Sequence, residues 1–359
     1  MRIVHIISRF NSGGTATWLN ELVKGSSFSN DKVMLVIGSC SPGEMEGVPD
    51  ETFEVIRLRE MQRRINPCLD LRALVKLIKI LRRSNPDIVN THTFKAGILG
   101  RFACSFPGNR SIKVIHTVHG HLKYGYFNPF ISRFILIVER LMQILTNGFI
   151  VSGFKLLGEL QEEGLLLDTR NKVILPGLER QVLKLDSEVE HKMRVGWLGR
   201  LSPIKRPERV LEIANLLPNY EFFIAGSGEM EALLRARLSS NVHLVGWVSP
   251  TVFWKDKSVG LLTSDNEATP YAIIEGNMAG VPFVATNVGS VADVVIDGQN
   301  GFLAETKVKD LASKLEKLLS DENELERMGK CARDFANGKF SLERFQKEHR
   351  DFYVNIMND

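Results

Sequence analysis

Short β-branched apolar runs alternate with helix-periodic segments along most of the chain. "RIVHIIS", "VMLVIG", "FEVIRL", "PDIVNTH", "KVIHTVHG" and "GFIVSG" read as strands in the first half. Between them, "GGTATWLNELVKG", "LDLRALVKLIKILRR" and "ISRFILIVERLMQIL" read as helices. Strands separated by helices mark βαβ units and a parallel sheet. The rhythm breaks at about 171–193, a charged stretch holding Pro176-Gly177, which reads as a linker. It resumes with "MRVGWLGRL", "ERVLEIANLL", "YEFFIAGSG", "EMEALLRARL", "NVHLVGWV", "VGLLTS", "YAIIEGNMAG", "PFVATNVG", "VADVVIDG" and "DLASKLEKLL". The expectation is an α/β protein of two doubly wound, Rossmann-like domains. Ligands of such sheets bind beyond the carboxyl ends of the strands, so the cleft between two such domains is the natural site.

A length of 359 residues suits two domains, and 44% hydrophobic with 25% charged residues fits a soluble globular protein. The net charge of +4 is too small to argue for nucleic acid. Its distribution is uneven: residues 1–170 carry 22 Lys and Arg against 15 Asp and Glu, and the rest 24 against 27. A basic first half fits an anionic partner or surface. The four cysteines form no CxxC pair, so neither zinc nor a redox couple is signalled, and a reducing cytosol fits. "MRIVHII" meets Ser8 and Arg9 too early for a signal peptide, and no apolar run of membrane-spanning length occurs.

The stretch "SDNEATPYAIIEG" holds Glu267 and Glu275 with Pro270 between them. In one continuous helix they would sit about 80° apart. Proline favours a first helical turn, so the reading is a loop carrying Glu267, an N-cap at Thr269, a first helical residue at Pro270, and Glu275 in the second turn. A carboxylate accepts two hydroxyl hydrogen bonds, which suits a ribose or hexose diol, and a helix N-terminus favours phosphate. "GRLSPIKRPERVLE" places Arg200, Lys205 and Arg206 at a strand end, where an arginine fork and a lysine point charge suit a pyrophosphate. Gly13-Gly14 and the Gly226/Gly228 pair each follow a strand and precede a helix; each is either an anion cradle or a structural turn. The spacing at Gly13 is not GxGxxG, so no dinucleotide fingerprint is present. His92 and His119 sit where strands run out and can contact a sugar or phosphate; His116 reads as core. No carboxylate–His pattern accompanies His92, His119 and His121, so no metal is expected.

"GRLSPIKRPE", "AGSGEME", "NEATPYAIIEGNMAGVPFVATNVGSVADVV" and "DGQNGFL", in this order, resemble the retaining glycosyltransferases of family 4, which have the GT-B fold. "GGTATWLNEL", "PDIVNTHTFKAGILGR" and "HTVHGHLKYGYF" extend the resemblance over nearly the whole chain. It implies an acceptor-binding domain at 1–175, a nucleotide-sugar domain at 176–340, and a last helix, 341–359, crossing back to the first domain. It implies that Arg200 and Lys205 hold the donor diphosphate, Glu275 binds the ribose, and Glu267 contacts the transferred sugar. The backbone at Thr269, Pro270 and Tyr271 and the loops at Gly13, Gly14 and Gly228 would meet the donor. His119, with His92 on the sugar side, would lie near the reacting carbon. Two departures stand out: Ala268-Thr269-Pro270 replaces the usual Gly-Phe-Gly, a variant associated with surface-polysaccharide assembly, and Gly276-Asn277 replaces Ala-Met. Both are expected to touch the donor pocket.

The expected activity is transfer of a sugar from a nucleotide diphosphate sugar, with a UDP-sugar favoured, to a glycan or lipid-linked glycan. It would proceed with retention and without metal or other cofactor. The expected place is the cytoplasm, at the inner face of the membrane, with the basic amphipathic helix 69–83 weighed as either a lipid contact or a core helix. Two rivals are a nucleotide-sugar 2-epimerase of the same fold and a catalytically silent nucleotide-sugar-binding partner.

Overall fold

The computed structural model describes residues 1–25, 27–41, 44–62, 64–106, 108, 112–120, 129–167, 169–179 and 193–358. The chain divides into two compact units, 1–177 together with 342–359, and 178–341.

Unit 1 is built on β1 (Arg2–Ile7), β2 (Lys32–Ser39), β3 (Glu54–Gln62), β4 (Ile88–His92), β5 (Lys113–Val118), β6 (Gly148–Val151) and β7 (Asn171–Val173). They form one sheet in the order β3-β2-β1-β4-β5-β6-β7, and every pairing is parallel. The order reverses between β1 and β4, the switch point at which doubly wound sheets bind ligands. Helices α1 (Gly14–Val23), α2 (Pro67–Ser84), α3 (Phe94–Cys104), α4 (Pro129–Met142) and α5 (Phe154–Glu162) connect the strands. Three of these follow directly from the sequence pattern. α3 and α5 do not show in that pattern, because Gly97, Gly100 and Gly158 interrupt their periodicity. β7 corrects the linker reading: Asn171–Val173 pairs in parallel with Phe149–Val151. Residues 180–192 of that linker, and His121, lie outside the described residues.

Unit 2 carries β8 (Arg194–Leu198), α6 (Glu208–Leu216), β9 (Glu221–Ala225), α7 (Glu231–Arg235), β10 (Val242–Gly246), α8 (Pro250–Phe253), β11 (Val259–Leu262), α9 (Tyr271–Met278), β12 (Phe283–Thr286), β13 (Gly301–Ala304), α10 (Val308–Leu319) and α11 (Glu322–Lys339). The six strands run β10-β9-β8-β11-β12-β13, again all parallel. Its core gathers Val195, Trp197, Phe222, Ile224, Leu261 and Leu315. Between β12 and β13, Gly289–Asp293 is a 3₁₀ turn, and the edge strand is the four-residue "GFLA".

The last helix, α12 (Leu342–Asn358), groups with unit 1. Its buried face carries Phe345, Gln346, His349, Phe352, Tyr353 and Ile356. Gln346 Nε2 donates to the carbonyls of Glu21 and Lys24, at 2.8 and 2.6 Å, closing the end of α1. The apolar face of α2 (Leu77, Ile78 and Leu81, with Leu74 beside them) packs into the unit 1 core. That face is unavailable to lipid; the exposed side of α2 carries its basic residues together with Leu71 and Val75.

Candidate active site

In unit 2, charge converges where β8 and β11 end. Lys205 Nζ donates to both carboxylate oxygens of Glu267, at 2.5 and 2.6 Å, and Ser264 Oγ donates to Oε1 at 2.6 Å. The position of Lys205 is set from behind. Thr263 Oγ1 lies 3.0 and 2.9 Å from the carbonyls of Lys205 and Arg206, and accepts from the Trp197 indole N–H at 2.9 Å. Arg209 Nη1 donates to the Thr263 carbonyl at 2.7 Å, and the Asp265 N–H reaches the Ile204 carbonyl at 2.9 Å. Arg206 itself adopts φ +51°, turning the chain sharply after the lysine. Arg200 is exposed just beyond β8.

The loop-then-helix reading of "SDNEATPYAIIEG" holds, with one shift. Pro270 is the cap, in extended conformation, and α9 begins at Tyr271. Glu267 therefore lies in the loop and Glu275 in the second turn of α9, buried. Thr269 is buried in the loop and is not the cap. The N-terminus of α9 leaves partial positive charge beside that loop.

The glycines resolve differently from one another. Gly226 and Gly228 have φ +136° and +157°, and a Cβ on them would fall 1.9 Å from the Gly199 carbonyl and 2.3 Å from the Leu201 carbonyl. These two glycines let the loops after β8 and β9 touch, through Leu201 N–H to the Ser227 carbonyl at 2.9 Å. The structural turn thus accounts for them. Gly13, at φ +155° with nothing near its missing Cβ, faces open space at the start of α1. Gly276 packs against an aromatic ring: a Cβ there would meet the Phe283 ring at 2.5 Å. Asn277 is fully buried, with Nδ2 3.4 Å from the Val294 carbonyl. That departure from Ala-Met is therefore one of core packing.

In unit 1, the parallel register sorts the histidines by face. His5 pairs with Asn90, and His92 with Thr117; with period-two alternation, His5, Asn90, His92, Thr117 and His119 follow along one face. His5 Nδ1 lies 3.0 Å from His92 Nε2, and His92 Nδ1 lies 2.9 Å from His119 Nε2. Thr117 Oγ1 donates to Asn90 Oδ1 at 2.9 Å, and Asn90 Nδ2 donates to the Tyr353 hydroxyl at 2.7 Å. Trp18 of α1 sets its ring edge against His119 and His349. Burial pushes His5, His119 and His349 down to about 3, and His92 well below its ordinary range. His116 faces the other way, against Thr91 Oγ1 at 2.8 Å and under α3, as a core residue. The histidine nitrogens point at one another instead of converging, and the described residues contain no cluster of three or more potential metal ligands.

Sequence reasoning missed several members of these sites. His5 was hidden inside an apolar strand. Ser264 and Gly289 support Glu267: a Cβ on Gly289 would fall 1.7 Å from the Glu267 carbonyl, and the Ser290 N–H donates to that carbonyl at 3.1 Å. Thr93, at φ +67°, holds a conformation unfavourable to a side chain at the β1/β4 switch point, and its Oγ1 meets Ser8 Oγ at 2.8 Å. Backbone strain of this kind collects at functional sites.

Two doubly wound parallel sheets in one chain are the architecture of the GT-B fold. Residues 12–176 match the family described as Glycosyltransferase Family 4, and residues 185–335 match Glycosyl transferases group 1. The chain is thus a glycosyltransferase with a family 4 domain in its first half and a group 1 domain in its second. It is 27% identical over 348 residues to the UDP-Gal:alpha-D-GlcNAc-diphosphoundecaprenol alpha-1,3-galactosyltransferase of Escherichia coli, covering 88% of this chain and 87% of the relative. It is 26% identical over 331 residues to the capsular polysaccharide biosynthesis glycosyltransferase CapM of Staphylococcus aureus, covering 85% and 86%. In fold it is similar to Anabaena HepE crystallised with UDP and glucose (TM-score 0.83, 17% identity, 99% of this chain and 100% of that one). It is equally similar to sucrose-phosphate synthase of Thermosynechococcus elongatus (TM-score 0.82, 18% identity, 100% and 99%).

Proposed function

We propose that the protein transfers a hexose from a UDP-sugar to a lipid-linked glycan during assembly of a surface polysaccharide. It does so with retention at the anomeric carbon and without a metal. The observation that carries this is the Lys205–Glu267–Ser264 arrangement ahead of α9. It puts a cation, a carboxylate and a helix N-terminus in one loop region, as a sugar diphosphate requires. The names of the galactosyltransferase and CapM relatives support the donor and the setting. In the proposed reaction the C1–O bond to the diphosphate breaks as the acceptor oxygen approaches the same face of the sugar. The acceptor proton passes to a leaving phosphate oxygen. Arg200, Lys205 and the α9 N-terminus offset the charge growing there, Glu267 holds sugar hydroxyls, and Glu275 holds the ribose.

A thermal-shift panel of nucleotide sugars tests the site, because a ligand that binds only the folded state stabilises it by mass action. UDP-hexoses are expected to give the largest shifts, and Glu275→Ala to abolish them. A full shift in that variant would remove Glu275 from the site. Product anomeric configuration, read by NMR with chelator present, tests retention and metal independence together. Incubation with donor alone separates transfer from epimerisation, since an epimerase releases a free sugar epimer without acceptor.

The described residues hold no helix long and apolar enough to cross a membrane. We assign lipid contact to α4 and the turn after it, in place of α2. Phe134, Ile137, Leu141 and Ile144 follow at helical spacing and are 53% to 82% exposed, beside the exposed Arg133 and Arg140. An apolar stripe edged by arginines matches an anionic lipid surface. Ile137→Ser with Leu141→Ser is expected to weaken sedimentation with phosphatidylglycerol vesicles by about tenfold or more. Undiminished binding would remove α4 from the interface.

A further inference from the structure

We infer that His5 and His92 act as positioning residues that fix which nitrogen of His119 carries its proton. The inference rests on the reading that His119 lies beside the donor sugar. The sheet register delivers all three rings to one face. Their contacts run in series: His5 Nδ1 to His92 Nε2 at 3.0 Å, and His92 Nδ1 to His119 Nε2 at 2.9 Å. Neighbouring rings lie 5.3 and 5.2 Å apart, tilted by 30° and 28°, so the contacts are made between ring edges that face each other at a shallow angle.

A neutral imidazole has one N–H and one lone pair. His92 uses both nitrogens, so it must donate on one side and accept on the other. Only two arrangements satisfy both contacts. In one, His5 donates to His92 and His92 donates to His119, which leaves His119 Nδ1 carrying a hydrogen. In the other, both bonds run in reverse, and His119 Nδ1 is a bare acceptor. The state of His5, two hydrogen bonds away, thereby decides whether His119 offers its Nδ1 as donor or acceptor.

The surroundings keep the relay in register. Trp18 closes over His119 with ring centroids 5.2 Å apart, and Phe53 stands edge-on to His5 at 6.2 Å. His5 and His92 are almost wholly enclosed. A sugar hydroxyl meeting a fixed donor or a fixed acceptor binds in one orientation; meeting a mixture, it binds in two. For histidines that ligate a metal, loss of the second contact that orients the ring costs about 10–100-fold, and an effect of that order is expected here.

The test combines the ¹⁵N imidazole spectrum with kinetics. In the wild-type protein, protonated and bare nitrogens of His5, His92 and His119 are expected to follow one direction of donation, each ring a single tautomer. His5→Phe keeps a ring but removes the nitrogen. It is expected to leave His119 in mixed tautomers and to lower kcat about tenfold or more, with the donor KM little changed. His5→Asn returns a polar atom near the Nδ1 position and is expected to recover part of kcat, which a purely space-filling role would not give. Opposed directions of donation in the wild type, or an unaltered His119 tautomer in His5→Phe, would overturn the relay; the wild-type spectrum decides this even where a variant fails to fold. An altered tautomer with unchanged kcat would keep the relay and overturn the placement of His119 beside the sugar.

Discussion

Acidification from pH 7 to pH 5 is expected to unfold unit 1. His5, His92, His116 and His349 are almost fully buried, and burial holds all four far below their ordinary value of 6.5. The folded state keeps them neutral throughout this range. The unfolded chain takes up a proton on each as pH falls through about 6.5. Stability changes with pH in proportion to the difference in protons bound by the two states. Below about 6, four such groups together remove about 5 kcal/mol for each pH unit. Domain stabilities are about 5–15 kcal/mol, so a pH near 5 exhausts a modest one. The sign is fixed: a depressed histidine contributes stability above its unfolded pKa, and that stability is lost as pH falls. Melting followed by circular dichroism should show the loss, and hydrogen exchange should place it in β1, β4 and β5. Equal melting temperatures at pH 7 and pH 5 would contradict the picture of four neutral buried rings.

The features that were legible in the sequence are those set by local chemistry. Alternating apolar runs gave both parallel sheets, because the strand period and the helix period are written into consecutive residues. Pro270 separated Glu267 from Glu275 for the same reason. What stayed hidden depends on contacts between distant segments. His5 reads as one polar residue in "RIVHIIS"; only the pairing of β1 with β4 sets it beside His92. Gly226 and Gly228 look like a phosphate cradle in sequence; that the loop after β8 approaches too closely for a side chain at either shows only in the fold. Gly276 looks like a pocket residue until Phe283 is seen against it. The sheet edges were also weakly marked: Asn171–Val173 and Gly301–Ala304 have three and four residues, too few for a period to show.

Replacing Lys205 with methionine is expected to lower sugar transfer by about 10²–10³-fold, the range for loss of one preorganised donor at a site of developing charge. The structure gives the same lysine a second task, and the two effects can be separated. Lys205 makes both of its described bonds to Glu267, whose side chain is nearly buried. Without the lysine, that carboxylate retains Ser264 Oγ as its described side-chain donor. Breaking a fully buried pair in this way costs about 3–5 kcal/mol. Lys205 is a quarter exposed, so about 2 kcal/mol is the better expectation, with water screening the remainder. For a unit of this size that lowers the melting temperature by about 4–8 °C. Adding Glu267→Gln to Lys205→Met removes the stranded charge and should restore most of the melting temperature, while transfer stays lost. Lys205→Arg keeps a cation within reach of the carboxylate and should hold stability with a smaller loss of turnover, since a planar fork cannot reproduce the point charge of an ammonium. Should Lys205→Met melt early yet transfer sugar within a few-fold of wild type, the pair would be a structural clamp on the Glu267 loop, and the diphosphate would have to be held elsewhere. The melting temperature and the turnover of these three variants therefore report on different bonds of one nitrogen: those it makes to Glu267 in the structure, and the one it is proposed to make to the departing phosphate.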